Sequence, residues 1–173
     1  TATAFMERPL AKYKFISTDL EKFLAMVVVS RAGKNAPMSK TDLEVAMSKI
    51  NIADFKIRFV YTGFLPFSFS VWTNRPNDSW TGISFDSGIK VLSESDTELG
   101  HDMVLVNGHG SSVSVRLEVF DRDGTLLSST NPIDVPIVRN KLTVVRGHFL
   151  TTSASGGIGV VTKFDGEYNY EVL

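Results

Sequence analysis

The sequence predicts a mainly β protein, an antiparallel β-sandwich with two short helices near the N-terminal part. Three observations point there. From Phe55 onward, β-branched and aromatic residues alternate with polar ones in short runs, and Gly, Pro, Asn and Asp separate the runs. No helical period stands between successive strands after that point, which disfavours a parallel sheet with crossover helices. The two segments with helical spacing both precede Asn51, and each opens on a capping pattern.

Taken in order, Ala11–Ser17 alternates Tyr13 and Phe15 with Lys12 and Lys14 and reads as a strand, with Pro9 setting its entry. Thr18-Asp19-Leu20-Glu21 is a capping box, so Leu20, Phe23, Leu24 and Val27 predict an amphipathic helix that Gly33 ends. A polar loop with Pro37 leads to a second box, Thr41-Asp42-Leu43-Glu44. Leu43, Ala46, Met47 and Ile50 form the stripe of a second helix that Asn51 ends. Both helices are expected against one sheet or its rim.

Phe55, Ile57, Phe59 and Tyr61 alternate with Lys56, Arg58 and Val60, and Gly63 and Pro66 then bend the chain. Phe67, Phe69 and Val71 alternate with Ser68, Ser70 and Trp72, and Thr73–Ser79 is a turn by composition. Trp80, Ile83 and Phe85 follow, with Gly82 and Gly88 as bend points; Val91–Gly100 reads as a polar loop. Met103–Val106 is a short apolar run that Asn107-Gly108 closes as a turn. Val113–Phe120 is the cleanest strand: Val113, Val115, Leu117 and Val119 point inward, and Ser112, Ser114, Arg116 and Glu118 face water. Asp121–Gly124 turns it into Thr125–Ser129, and Asn131-Pro132 makes a further turn.

Ile133–Thr152 is the stretch around which the rest is organised: two strands joined at a polar corner, Arg139-Asn140-Lys141. Pro132 and Pro136 suit an edge strand, since proline cannot donate to a ladder. Ser153–Gly157 reads as a loop, Ile158, Val160 and Val161 as a strand, Lys163–Gly166 as a turn, and Tyr168, Tyr170 and Val172 as the last strand.

Composition narrows the function. At 173 residues the chain is one domain, large enough to bury a core without a metal or disulfide. Its 12 Phe predict a Phe-rich core. A net charge of −1 and a pI near 6.3 argue against a basic face for nucleic acid or anionic membrane. With no cysteine there is no disulfide, cysteine–zinc site or thiol nucleophile. The longest apolar run is Phe23–Val29, far short of the roughly 20 residues of a membrane helix. Thr1-Ala2-Thr3-Ala4 reads as the end of a linker. Residues 1–8 are therefore expected to be linker, and residues 1–173 a single sandwich domain, the C-terminal domain of a longer precursor.

Candidate chemistry is sparse. His101, Asp102 and His109 sit beside glycines, but no HxH or HExxH spacing aims two imidazoles at one ion. Asp121-x-Asp123-Gly124 resembles the front of a calcium loop, yet the twelfth position is Pro132, so a hairpin turn explains it better. Gly156-Gly157-Ile158-Gly159 leads into a strand rather than a helix N-terminus, and no GxSxG elbow surrounds any serine. Trp72 and Trp80 flank a turn rich in Asn, Arg and Asp, and are the candidate ligand-binding residues. No catalytic, cofactor-binding or metal-binding residue is assigned, and no cofactor is expected.

Several segments together resemble the fimbrillin-like surface lipoproteins of Bacteroidetes-type bacteria, in the branch related to minor, anchoring or tip pilins. These are Glu7–Phe15 with the helix that follows, Tyr61–Pro66, Asn77–Gly82, Pro136–Gly147 and Phe164–Asn169. The likeness covers nearly the whole chain as the C-terminal half of such proteins, with residues 34–50 matching least. The resemblance implies a transthyretin-like sandwich and export to the cell surface or outer membrane, on a lipidated cysteine upstream of Thr1. It also implies a non-enzymatic role in pilus (fimbrial) assembly or adhesion, through β-strand addition to other pilin-like subunits or to host surface ligands. The alternative expectation is a surface carbohydrate- or host-ligand-binding module that uses Trp72 and Trp80.

Overall fold

Alternation along the chain becomes alternation between core and solvent. The structure, a computed structural model, describes residues 8–33, 37–152 and the backbone of 167–172. The turn and strand read over 153–166, including Gly156–Gly159, and the linker residues 1–7 lie outside the described residues.

Two sheets form the sandwich. The first has the order β12 (Glu167–Val172), β11 (Lys141–Gly147), β1 (Leu10–Ser17), β7 (Thr97–Leu105), β6 (Lys90–Val91). The second has the order β10 (Ile133–Val138), β8 (Gly110–Phe120), β2 (Lys56–Tyr61), β5 (Ser84–Gly88), with β9 (Leu126–Ser129) pairing the far end of β8. A separate hairpin joins β3 (Leu65–Ser70) to β4 (Arg75–Trp80). The fold is thus mainly β and sandwich-like. β10, with Pro136, is an edge strand of the described sheet, and β1 pairs parallel with β11 inside an otherwise antiparallel set.

The core lies between the sheets. β1 contributes Ala11, Tyr13 and Phe15. They face Ile57 and Phe59 of β2, Val115, Leu117 and Val119 of β8, and Val135 and Ile137 of β10. Phe15 meets Phe59 edge-on at 5.6 Å, and Phe59 stacks on Phe85 at 4.8 Å. Each fully buried ring of this kind contributes roughly 2–3 kcal/mol of transfer free energy.

One end of the sandwich is closed by α1 (Leu20–Ala32), whose Phe23 packs on Phe55 at 5.1 Å. α2 (Lys40–Ser48) rests on α1 and buries no residue fully. The capping boxes are corrected. The side chain of Asp19, the N-cap of α1, makes no cap bond, because its carboxylate is engaged elsewhere: it accepts from Thr151 N–H at 3.0 Å and Thr151 Oγ1 at 2.7 Å. The N-cap of α2 is Ser39, two residues before the second box, and Ser39 Oγ accepts from Asp42 N–H at 3.1 Å.

Two further readings change. Thr97–Gly100 is not loop but the first half of β7. Polar as it looks, Thr97 and Leu99 are buried, and Leu99 is the extra residue of a bulge opposite Phe15 and Ile16. Gly100 permits the closest approach in the core: a Cβ there would lie 2.6 Å from Phe59 Cε2 and 2.9 Å from Ser87 Oγ. The polar corner after β10 is indeed a corner between strands, but its two arms belong to opposite sheets. Asn140 turns it with φ 60°, Asn140 N–H donates to Leu10 O at 3.0 Å, and Thr143 Oγ1 donates to Pro136 O across the corner at 2.7 Å.

Candidate functional site

Thr73–Ser79, rich in turn residues, turns only at Thr73 and Asn74. The turn falls earlier, at Val71–Asn74, and Arg75–Trp80 returns as β4. Asn74 takes φ 54°, a left-handed conformation that asparagine tolerates, and this lets a four-residue loop close the hairpin. Two register shifts, at Pro66/Ser68 and Ser68/Phe69, twist it further.

The hairpin leaves the sandwich at the end away from α1. Its root is tied by Tyr61 N–H to Ile83 O at 2.9 Å and Thr62 N–H to Ser114 O at 3.0 Å. Gly63 and Gly82 stand on either side of it, with no atom within 4 Å of where a Cβ would be. The tip is held by the corner after β10. Arg139, only 4% exposed, donates from Nη1 to Asn74 Oδ1 at 2.8 Å and from Nη2 to Asn74 O at 3.0 Å, and its guanidinium lies 5.4 Å from the Phe69 ring.

Among the polar residues of its surface the hairpin presents large apolar ones to solvent. Phe64 is 75% exposed, Phe67 46%, Val71 86%, Trp72 99% and Trp80 57%. Isolated exposed apolar residues need no explanation; five large ones on a single projecting hairpin mark a contact surface. The two predicted ligand residues are not brought together. Trp72 is at the tip, whereas Trp80 pairs with Leu65 at the root, so the length of β4, about 20 Å, separates them. Trp80 has Phe67 as its neighbour instead, with ring centroids 4.4 Å apart and planes 34° from parallel. Beside them Ser68 Oγ donates to Asn77 Oδ1 at 2.6 Å and Asp78 Oδ2 at 3.2 Å. Sequence reasoning missed Phe67 as a site residue, placing it only in a run where Phe67, Phe69 and Val71 alternate with Ser68, Ser70 and Trp72. Pro66 and the lack of strict alternation on its partner strand were the available signals of a twisted, projecting hairpin.

Under the root lies a polar chain that crosses the core. Tyr61 donates to Asp102 Oδ2 at 2.6 Å, so Tyr13, 2.7 Å away, donates to the Tyr61 oxygen. Burial is the chief cause that pushes both phenols well above the ordinary tyrosine range. For Tyr61 the neighbouring Tyr13 and the bond to Asp102 add to it. Both phenols therefore stay protonated at neutral pH.

The remaining titratable groups are spread out. His101 bonds Glu98 at 2.8 Å on the surface, and Asp121 Oδ1 accepts from Asp123 N–H and Thr125 N–H as the hairpin turn between β8 and β9. Among the described residues no group of three or more His, Asp or Glu is arranged to hold a metal ion. An open groove of about 640 Å³ lies between α1 and α2, lined by residues of both signs, including Glu21, Lys22, Lys40 and Glu44. No helix among the described residues is long and apolar enough to cross a membrane.

These features define a mainly β sandwich that carries a clasped, aromatic hairpin. The chain belongs to a family described as "Family of unknown function (DUF6562)", whose model matches residues 1–172. Among solved structures it is similar to a protein from Bacteroides ovatus ATCC 8483 described as a "putative cell adhesion protein", with 10% identity and a TM-score of 0.37. That match covers 95% of this chain and 44% of the other, so the chain spans less than half that protein's length. No curated protein matches the sequence.

Proposed function

We propose that the protein is a non-enzymatic adhesion or assembly module of fimbrillin-like type, exported to the cell surface, which meets its partner with the β3–β4 hairpin. The observation that carries this reading is the crowding of Phe64, Phe67, Val71, Trp72 and Trp80 onto that hairpin, all exposed to solvent. The sandwich supplies rigidity, and the Arg139–Asn74 bonds hold the contact surface in one orientation before any partner arrives. Replacing residues 64–81 by a Gly-Gly link, displaying both forms on cells and measuring retention on partner-coated surfaces tests it. Retention is expected to fall to background while the sandwich stays folded, its melting temperature lowered by about 4–8 °C through loss of the Arg139–Asn74 bonds. Equal retention by the two forms would remove the hairpin from the function.

A second mode, strand addition, has its own supporting observation. Because Tyr61 N–H bonds Ile83 O, alternation along β5 turns the backbone groups of Ser84, Asp86 and Gly88 away from β2. Among the described residues no strand pairs with that side. A partner strand added there would extend the second sheet. Ser84→Pro blocks the edge without removing a ladder bond. If complexes with sister subunits form through β5, this variant loses them, and undiminished crosslinking would exclude this edge.

A further inference from the structure

We infer that one face of the hairpin, built by Phe67, Ser68, Asn77, Asp78 and Trp80, binds a neutral carbohydrate. The inference rests on the reading of the hairpin as the contact element, and it names what that element would hold.

The bulge at Phe67 and Ser68 is what assembles the face. Two residues of β3 there oppose one of β4, so their side chains turn to the same side as their partner Asp78. Asp78 and Trp80, two apart on β4, share a face. The contacts agree with this: Ser68 reaches Asp78 at 3.2 Å, and Phe67 reaches Trp80 at 4.4 Å between centroids. Phe67 covers one side of the indole and fixes its orientation. Trp80 nevertheless remains 57% exposed, so much of its surface is open to a ligand.

The chemistry of that face matches a sugar ring. A pyranose has a C–H surface that packs on an aromatic ring, and vicinal hydroxyls at its rim that both donate and accept. The Ser68 hydroxyl proton is shared between Asn77 Oδ1 and Asp78 Oδ2, which leaves the Asn77 amide N–H groups as donors and the second Asp78 oxygen as an acceptor. Asp78 is the sole charge among the five side chains. A carboxylate with no cation beside it in the set repels sialylated, sulfated and phosphorylated groups and accepts from neutral hydroxyls. The face is open rather than a pocket, so a single site binds weakly, and useful retention comes from many copies acting together.

The test uses the protein with Trp72→Phe, which leaves Trp80 as the remaining tryptophan, on arrays of neutral gluco-, galacto- and manno-oligosaccharides beside sialylated and sulfated counterparts. Expected is saturable binding to a neutral glycan with a change in Trp80 emission. The loss should be at least tenfold in Trp80→Ala and several-fold in Asp78→Ala. Trp80→Tyr should stay within a few-fold, and so should Val45→Ser on α2. Thermal melts exclude unfolding as the cause. Equal binding by Trp80→Ala, preference for anionic glycans, or no binding to any glycan would overturn the inference. If hairpin-dependent retention on cells persists in any of those cases, the adhesion reading stands and only the ligand class falls. If retention is also hairpin-independent, both fall.

Discussion

Arg139 and Asn74, 65 residues apart in the chain, form a clasp between the sandwich and its hairpin: the guanidinium donates once to the Asn74 side chain and once to its backbone carbonyl. Arg139 lies on the corner where the chain leaves one sheet for the other, so the stretch that closes the sandwich also sets the hairpin's direction.

Arg139→Ala is expected to destabilise the protein by about 2 kcal/mol, the range for lost hydrogen bonds to a charged group. It should raise amide exchange over residues 65–80 while the β2 and β8 amides stay protected. Arg139→Lys is expected to recover less than half, because one ammonium cannot span both acceptors as the fork does. Hydrogen exchange with mass spectrometry, beside urea melts, checks both.

Gly100→Ala places a methyl group 2.6 Å from Phe59 and is expected to lower stability by about 3 kcal/mol, at the upper end for overpacking. The backbone there, at φ 154°, also suits glycine better than alanine. Combined with Phe59→Leu, the loss should be smaller than the sum of the two single losses, since the same space is contested. A double-mutant cycle in urea reads this directly.

Asp19 ties the chain after β11 to the start of α1, accepting from Thr151 N–H, Thr151 Oγ1 and Ser17 Oγ. Asp19→Ala takes the acceptor from the part-buried Thr151 donors and the closer of two acceptors from Ser17 Oγ, and is expected to cost about 2 kcal/mol. Asp19→Asn retains one acceptor and should recover part of it. Faster exchange at Phe149–Thr151 in the alanine variant locates the effect.

Tyr61→Phe removes the link between Tyr13 and Asp102 and is expected to cost about 1–3 kcal/mol. Its pH dependence has a definite sign. In the unfolded chain tyrosines ionise near pH 10, whereas in the fold burial holds Tyr13 and Tyr61 protonated above that. Stability from these groups is therefore complete below about pH 10 and declines as pH rises past it. The variant, with one such group fewer, should show a shallower decline between about pH 9 and pH 11 in denaturant melts. A decline as steep as the parent's would rule out Tyr61 as a source.

Much of the fold was legible because it is written locally. The β8 stripe Val113, Val115, Leu117 and Val119 is the core face it promised to be, and Pro136 lies on an edge strand. β7 was hidden because Thr97, Gly100 and Asp102 look like loop: a buried threonine, a glycine under a phenyl ring and a carboxylate bonded to a tyrosine are explained only by their partners. The hairpin turn was misplaced for a related reason. Asn, Arg, Pro and Asp at 74–78 are turn formers by habit, yet Arg139 pins Asn74 at the turn's end and leaves 75–80 extended. The helix starts were displaced likewise, Asp19 by Thr151 and α2 by Ser39.

By itself the sequence determined the mainly β class, the inward faces of β1, β2 and β8, the existence of two helices and the polar corner at Arg139-Asn140. All of these follow from spacing within a dozen residues, where side-chain direction repeats every two or every 3.6 positions. Only the tertiary structure decided that β10 and β11 lie in opposite sheets, that β1 and β11 run parallel, and that Trp80 has Phe67 rather than Trp72 as its neighbour. Those outcomes depend on contacts between residues far apart in the chain, and a local period carries no record of them.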